Sequence, residues 1–301
     1  MKFVNAAGFY EADVIVMGGD MTGKAIVPLI HQGSDKYSCT FVGRNYLVQG
    51  EDELADLEKL IRVNGFYPFR AEPDEVETLA ADDRRRDEKF LTLMKESLQR
   101  WVSIAEERLA GKGITCFMTP GNDDHLEIDP LLEGSEVVRN PEGKVVALEG
   151  PDGSREMISC GWSGPTPFNT PRECTEEELA GKIDAMASRV QNMETAVFNL
   201  HNPPYGTKLD LAPLLDENLR VQSEGGQSRM VPVGSVSVRA ALEDYQPQIG
   251  LHGHIHESRG QAKIRRTVCI NPGSEYSEGV LRGAIVDLKG SKVKNVQLVS
   301  G

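Results

Sequence analysis

Four short apolar runs in this chain each lead into residue types that bind metal. DVIVM (13–17) is followed by GGD, which puts Asp20 just past the run, and ITCFM (114–118) by TPGNDDH, which puts Asn122 in the same kind of place. TAVFNL (195–200) runs directly into His201, and QIGLH (248–252) into GHIH, with His254 and His256. Taken singly these are ordinary features. GGD and GND are common turn sequences, and a histidine before Asn-Pro-Pro serves well as a hydrogen-bonded strand terminus. The pair His254 and His256, two apart and beside Gly253, is the strongest single piece. The joint occurrence is the argument, because functional crevices of open α/β sheets lie at the carboxyl ends of strands.

The residue types also make chemical sense together. A carboxylate such as Asp20 can bridge two divalent ions held roughly 3.5–4 Å apart, the spacing of two-metal hydrolases. Asn122 and the imidazoles would fill coordination without cancelling the cationic charge. Oxygen and nitrogen donors without thiolate suit Mn, Fe, Zn, Co or Ni.

The elements that must position these residues are legible from local pattern. The four runs, with TVCI (267–270), are brief, β-branched and stopped by Gly, Pro or Asn, so they read as buried strands. Helical spacing predicts a long helix over 74–110, with Leu79, Phe90, Met94, Leu98, Trp101, Val102 and Leu109 as its apolar stripe. Its DDRRRDE run (82–88) reads as a solvated face. A second helix over 175–192 opens with a capping box, Thr175 with Glu178. KVVALEGPDGSREMISCGW (144–162) reads as a hairpin about PDGS, and residues 24–49 as an inserted hairpin. Residues 202–230 are rich in turn formers and long enough for a lid-like loop. Strands alternating with helices predict an α/β fold, taken as one domain over 1–301.

Composition excludes some classes. With 33 Lys plus Arg against 46 Asp plus Glu, the net charge of −13 argues against a general nucleic-acid or membrane-surface binder. The five scattered cysteines form no CxxC pair, so a reducing cytoplasm and no disulfide framework are expected. No apolar run reaches membrane-spanning length.

In GGD (18–20), GND (121–123), His201 and GHIH (253–256), in that order and at that spacing, the chain resembles the calcineurin-like metallophosphoesterase family, from about residue 11 to beyond residue 285. The resemblance implies a metallophosphoesterase-like four-layer αββα sandwich of two mixed sheets. It implies that Asp20 bridges two divalent metals, that Asn122, His201 and His254 bind the second, and that His256 binds the first. The implied activity is hydrolysis of a phosphodiester or phosphomonoester by a metal-bound hydroxide, on a small phosphoester substrate. NPGS (271–274) resembles a family feature near the site, although a plain turn needs no function.

Two departures matter. The family opens with a strand ending in Asp-x-His that supplies first-metal ligands, and no Asp-x-His stands upstream of Asp20. Residues 1–10, with Phe3, Val4, Ala7 and Tyr10 at helical spacing, match the helix that would follow it. A start placed too late, an incomplete gene or a trimmed chain is the favoured explanation, with the first strand absent and one metal retained if the chain begins at Met1. The second departure is Asp123, where many relatives carry a histidine that serves the leaving group. His252, two before His254, is the candidate to replace it in phosphate contact or acid catalysis. The rival expectation is an impaired fragment or a non-catalytic binding scaffold of the same fold, and a third is hydrolysis of another bond such as an amide.

Overall fold

The computed structural model describes residues 2–275 and 279–301. The chain opens with α1 (Lys2–Phe9) and β1 (Val14–Met17), followed by β2 (Ile26–His31), β3 (Lys36–Phe41) and β4 (Arg44–Gln49). Next come α2 (Gly50–Val63), β5 (Tyr67–Ala71), α3 (Pro73–Ala81) and α4 (Asp83–Leu109). β6 (Thr115–Met118), a 3-10 turn (Leu126–Leu132), β7 (Val138–Arg139), β8 (Val145–Gly150), β9 (Gly153–Cys160) and α5 (Glu176–Ala187) form the middle. Then follow β10 (Val197–Leu200), β11 (Leu211–Pro213), β12 (Ser223–Glu224), β13 (Gln227–Ser228), β14 (Met230–Pro232) and α6 (Val236–Tyr245). The chain closes with β15 (Ile249–Leu251), β16 (Gly260–Ile264), β17 (Thr267–Asn271), β18 (Arg282–Lys289) and β19 (Lys292–Ser300). The fold is mixed α/β.

The chain divides into two compact units, residues 1–21 with 102–275 and 281–301, and residues 22–101 with 276–280. The physical reason is a second core. The stretch 24–49, expected as an inserted hairpin, holds three strands, and β5 extends them to a sheet of order β4-β3-β2-β5. One face of this sheet buries Val27, Leu29, Cys39 and Phe41 against Leu54, Leu57 and Ile61 of α2. The predicted helix 74–110 is two helices, because Asp82 takes an extended conformation (φ −132°, ψ 99°) between α3 and α4. Met94, Leu98, Val102 and Leu109 of its stripe are buried, but Trp101 is 43% exposed. Arg84 with Glu88 and Arg86 with Asp83 pair on the solvated face, as the charge run predicts.

The larger unit carries the chemistry. β1 and β6 pair in parallel at the edge of a sheet ordered β1-β6-β7. A six-stranded sheet runs β16-β17-β15-β10-β9-β8, with β9, β10, β15 and β17 parallel and the β8–β9 hairpin at the PDGS turn. Alternation puts its side chains into two cores. Met157, Val197, Ile249 and Ile270 pack with Phe117 of β6 and with the β18–β19 hairpin. Ile158, Phe198, Leu200 and Cys269 pack against Leu179, Ile183 and Met186 of α5 and Val238 and Leu242 of α6. The Thr175–Glu178 capping box closes the start of α5. In α1, Val4 and Ala7 are buried and Tyr10 beyond it is 42% exposed; the Phe3 side chain lies outside the described residues.

The stretch 202–230, expected as a loop, is tied by backbone pairing. β11 pairs with β14 and β12 with β13, and the amides of Leu214, Gln222 and Arg229 bond across the ribbon. All five cysteines are free thiols. Among the described residues no helix is long and apolar enough to cross a membrane.

One partly buried acid makes this unit sensitive to pH. Glu142 accepts from the Gly161 amide at 2.7 Å, and burial pushes its pKa up to about 7 from an ordinary 4.5. Between those values the folded chain holds a proton that the unfolded chain has lost. Stability from this group is therefore full below pH 4.5 and falls as pH rises through 7. Glu142→Gln, which keeps an acceptor for Gly161, is expected to remove a pH-dependent loss on the order of 2 kcal/mol between pH 5 and 8. Urea denaturation of both proteins at the two pH values checks it; equal losses would exclude the assignment.

Candidate metal centre

The loops that follow β1, β6, β10 and β15 converge in the larger unit. Gly18–Asp20 leaves β1 through Gly19 at φ 116° and Asp20 at φ 50°. The left-handed pair bends the chain at the end of the strand, and Asp is among the few side chains that tolerate such a φ. The loop after β6 lies so close that a Cβ on Gly121 would meet Asp20 Oδ1 at 2.3 Å. Asp123 N donates to that same Oδ1 at 3.1 Å. Asp124, which the sequence reading passed over, accepts from the amides of Gly121 (2.7 Å) and Met21 (3.1 Å) and so ties the two loops together.

Ligand atoms of Asp20, His201 and His254 all lie within 4.8 Å of one another. Asn122 Oδ1 sits 3.0 Å from His201 Nε2 and 2.7 Å from His254 Nδ1. His201 Nε2 is also 3.3 Å from Asp20 Oδ2, and His256 Nε2 is 3.9 Å from that oxygen. The structure thus gathers four of the residues singled out as ligands beside the carboxylate of the fifth, Asp20. His254, at φ 63°, leaves the strand direction to do so.

Hydrogen bonds decide what this cluster can hold. His201 Nδ1 lies 2.7 Å from the Gly18 carbonyl, which only accepts, so that nitrogen carries the proton. Nε2 then presents a lone pair to two further acceptors, Asn122 Oδ1 and Asp20 Oδ2. Three acceptors facing one another in a buried pocket need a proton or a cation between them. Without metal the proton is favoured. Burial opposes the His201 charge, but Asp20 and the Gly18 carbonyl outweigh it and raise its pKa. His254 goes the other way. Burial, then the neighbouring His201, lower it to about 3, so it stays neutral with a lone pair to offer. One carboxylate, an amide oxygen and imidazole rings that can each turn a lone pair inward fit a divalent cation of the kind that takes oxygen and nitrogen donors.

His252 is held by a contact of its own. It is 5% exposed, its Nδ1 bonds the Leu200 carbonyl at 2.8 Å, and burial holds it at about pKa 4 against the pull of the Leu200 and Asn202 carbonyls. At neutral pH it therefore has no second proton to give as an acid. His31, read as a surface histidine, bonds Glu72 and the Ser34 carbonyl in the smaller unit.

Several further residues build the site, and of these the motifs mark only Asn271. Asn271 of the NPGS turn is 1% exposed and donates to the carbonyls of Gly253 (3.2 Å) and Ile255 (2.9 Å), bracing the loop that bears His254 and His256. The turn is therefore more than a plain one. Asn199, a polar residue inside the apolar run TAVFNL, donates to Ser159 Oγ of the neighbouring strand β9 and to Thr119 Oγ1 just past β6 of the other sheet. Arg172 is buried, bonds the carbonyls of Asp124 and His125, and pairs with Asp129. Glu173 accepts from Thr166 and Thr170; burial works against its charge, but those bonds outweigh it and hold the carboxyl below its usual range.

No family model matches the chain. Over 155 residues it is 34% identical to the uncharacterized protein MJ1162 of Methanocaldococcus jannaschii, a match covering 51% of this chain and 61% of that protein. The chain therefore aligns with less than two thirds of the relative's length. Among solved structures, TT1561 of Thermus thermophilus is similar at a TM-score of 0.43 and 14% identity, covering 69% of this chain and 79% of that one. A second is similar at a TM-score of 0.48 and 16% identity, covering 91% and 97%. Likenesses at this level say nothing about the chemistry of the site.

Proposed function

We propose that this chain is a metal-dependent phosphoesterase of the calcineurin-like metallophosphoesterase kind, hydrolysing a small phosphodiester or phosphomonoester. One observation carries the reading: His201 Nε2, Asn122 Oδ1 and Asp20 Oδ2 meet as acceptors within 3.3 Å of the imidazole nitrogen, with the proton held at the far side of the ring by Gly18. The strand order and the two cores of the larger unit support the four-layer αββα reading. Asp20, Asn122, His201 and His254 would hold one divalent cation, and His256 with Asp20 would contribute to a second. Bound there, such cations would supply the positive charge that draws phosphate oxygens and acidifies water.

The residues themselves shape the rest. Asp20 is the one carboxylate among the five, so the donor set leaves a dication largely uncompensated and receptive to an anionic substrate. Gly18 sets the His201 tautomer, a backbone orientation that metal-binding imidazoles ordinarily need. With an aspartate at 123 and His252 neutral, the described residues of the cluster offer no acid for a poor leaving group. Diesters and esters with good leaving groups are therefore favoured.

The test is Mn²⁺ reconstitution with elemental analysis, followed by assays on bis(p-nitrophenyl) phosphate, p-nitrophenyl phosphate and a p-nitroanilide. Bound metal with turnover of the phosphodiester is the expected result. Metal without turnover would favour a binding scaffold, release of p-nitroaniline alone would favour amide hydrolysis, and no metal would overturn the reading.

A further inference from the structure

The amide of Asn122 has two ends of nearly equal size and opposite chemistry, and only the oxygen can face a cation. Turned over, its NH₂ group would donate to the His201 and His254 nitrogens, consume their lone pairs and repel a metal. Something outside the five ligands must therefore choose the end. Asn122 Nδ2 lies 2.9 Å from Thr170 Oγ1 and 3.3 Å from Asp123 Oδ1. A hydroxyl can donate or accept, so Thr170 alone would leave the amide undecided. Its one hydrogen, however, is taken by Glu173 Oε1 at 2.7 Å, and an ionised carboxylate only accepts. Thr170 Oγ1 is left with lone pairs and must receive the Asn122 NH₂. Glu173 is itself pinned by the amides of Thr166 (3.0 Å) and Thr170 (2.9 Å) and by the Thr166 hydroxyl (2.5 Å).

We infer that Thr170 and Glu173 are positioning residues of the metal centre, a polarity relay that fixes the amide of Asn122 with its oxygen toward the cation. The inference rests on the metal-site reading above and deepens it. The segment that carries the relay is anchored to the ligand loop independently, since Arg172 N donates to the Asn122 carbonyl at 3.1 Å.

A cycle of variants in the full chain tests it, read by calorimetric titration with Mn²⁺ and by the thermal midpoint of metal-free protein. Thr170→Val keeps the shape and removes the oxygen. It is expected to weaken Mn²⁺ binding by about 10- to 100-fold, the usual effect of losing a partner that orients a ligand. Thr170→Ser keeps the hydroxyl and should bind within about threefold of the parent on the same reasoning. The decisive arm is Asn122→Asp, whose carboxylate offers oxygen at both ends and needs no orienting. In that background Thr170→Val should change Mn²⁺ affinity by less than about twofold, a coupling that a merely structural role would not produce. Equal losses in both backgrounds, or parental affinity in Thr170→Val, would overturn the relay while the metal site stands. Absence of Mn²⁺ binding in the parent chain would overturn the metal reading and the relay with it.

Discussion

Asp20→Asn is expected to lower Mn²⁺ affinity by at least about a hundredfold, beyond what loss of an orienting partner costs, while the metal-free chain keeps its fold. The substitution isolates charge from shape. Asp20 sits at φ 50°, and Asn is as tolerant of the left-handed region as Asp, so the backbone is not strained by the change. The oxygen that accepts from Asp123 N can be kept, because an asparagine still offers one acceptor. What is lost is the one negative charge of the donor set, 3.3 Å from His201 Nε2 and 3.9 Å from His256 Nε2. With it goes the attraction that must offset taking a dication out of water. Phosphodiesterase activity should fall by two to three orders of magnitude, roughly the range seen when a preorganised electrostatic group is removed. Elemental analysis after desalting, with circular dichroism on the same samples, checks both halves. A folded variant that retains Mn²⁺ at parental affinity would show that Asp20 is not a ligand.

Gly161→Ala is expected to be the most damaging single-methyl change in the larger unit. A Cβ there would stand 1.8 Å from the Pro120 carbonyl oxygen and 2.7 Å from its carbon. Both are backbone atoms, so no side chain can swing aside. Pro120 immediately precedes Gly121 and Asn122, and displacing it moves the ligand loop. The cost should be about 3 kcal/mol or more, which lowers the thermal midpoint by roughly 6–12 °C for a unit of this size. Gly181→Ala is the control. It lies inside α5 with open space where its Cβ would go, so the change should stabilise by about 0.5–1 kcal/mol through helix propensity. Differential scanning calorimetry of the three proteins separates the cases. A Gly161→Ala midpoint within about 2 °C of the parent, on the same scale, would mean the close approach is not rigid.

Much of the molecule was legible because it is local. β1, β6, β10, β15 and β17 fall within the five apolar runs or a residue of them, since a brief β-branched run stopped by Gly, Pro or Asn has few other ways to bury itself. The capping box of α5 involves groups three residues apart and was readable for the same reason. The five residues gathered at the site were readable through repetition, each standing just past such a run. The smaller unit was not. Nothing in the local pattern of 24–49 reveals that β5 and α2 will complete a separate core around Leu29 and Leu54. The break at Asp82 likewise interrupts an apolar periodicity that continues on both sides.

The sequence by itself determined which residue types stand at which strand ends, and therefore what chemistry the chain can attempt. Whether those residues meet was decided by parallel pairing within each sheet, β1 with β6 and β10 with β15, and by packing of Phe117 of the first sheet on Val197 and Ile249 of the second, which brings together positions 79 to 183 residues apart. Tertiary structure alone also decided protonation and orientation. The Gly18 carbonyl selects the tautomer of His201, burial holds His254 neutral, and Thr170, 48 residues beyond Asn122 and itself bonded to Glu173, faces the amide that the site must hold one way round. A sequence motif specifies donors and acceptors, but direction belongs to hydrogen bonds between distant segments, and those exist only once the chain has folded.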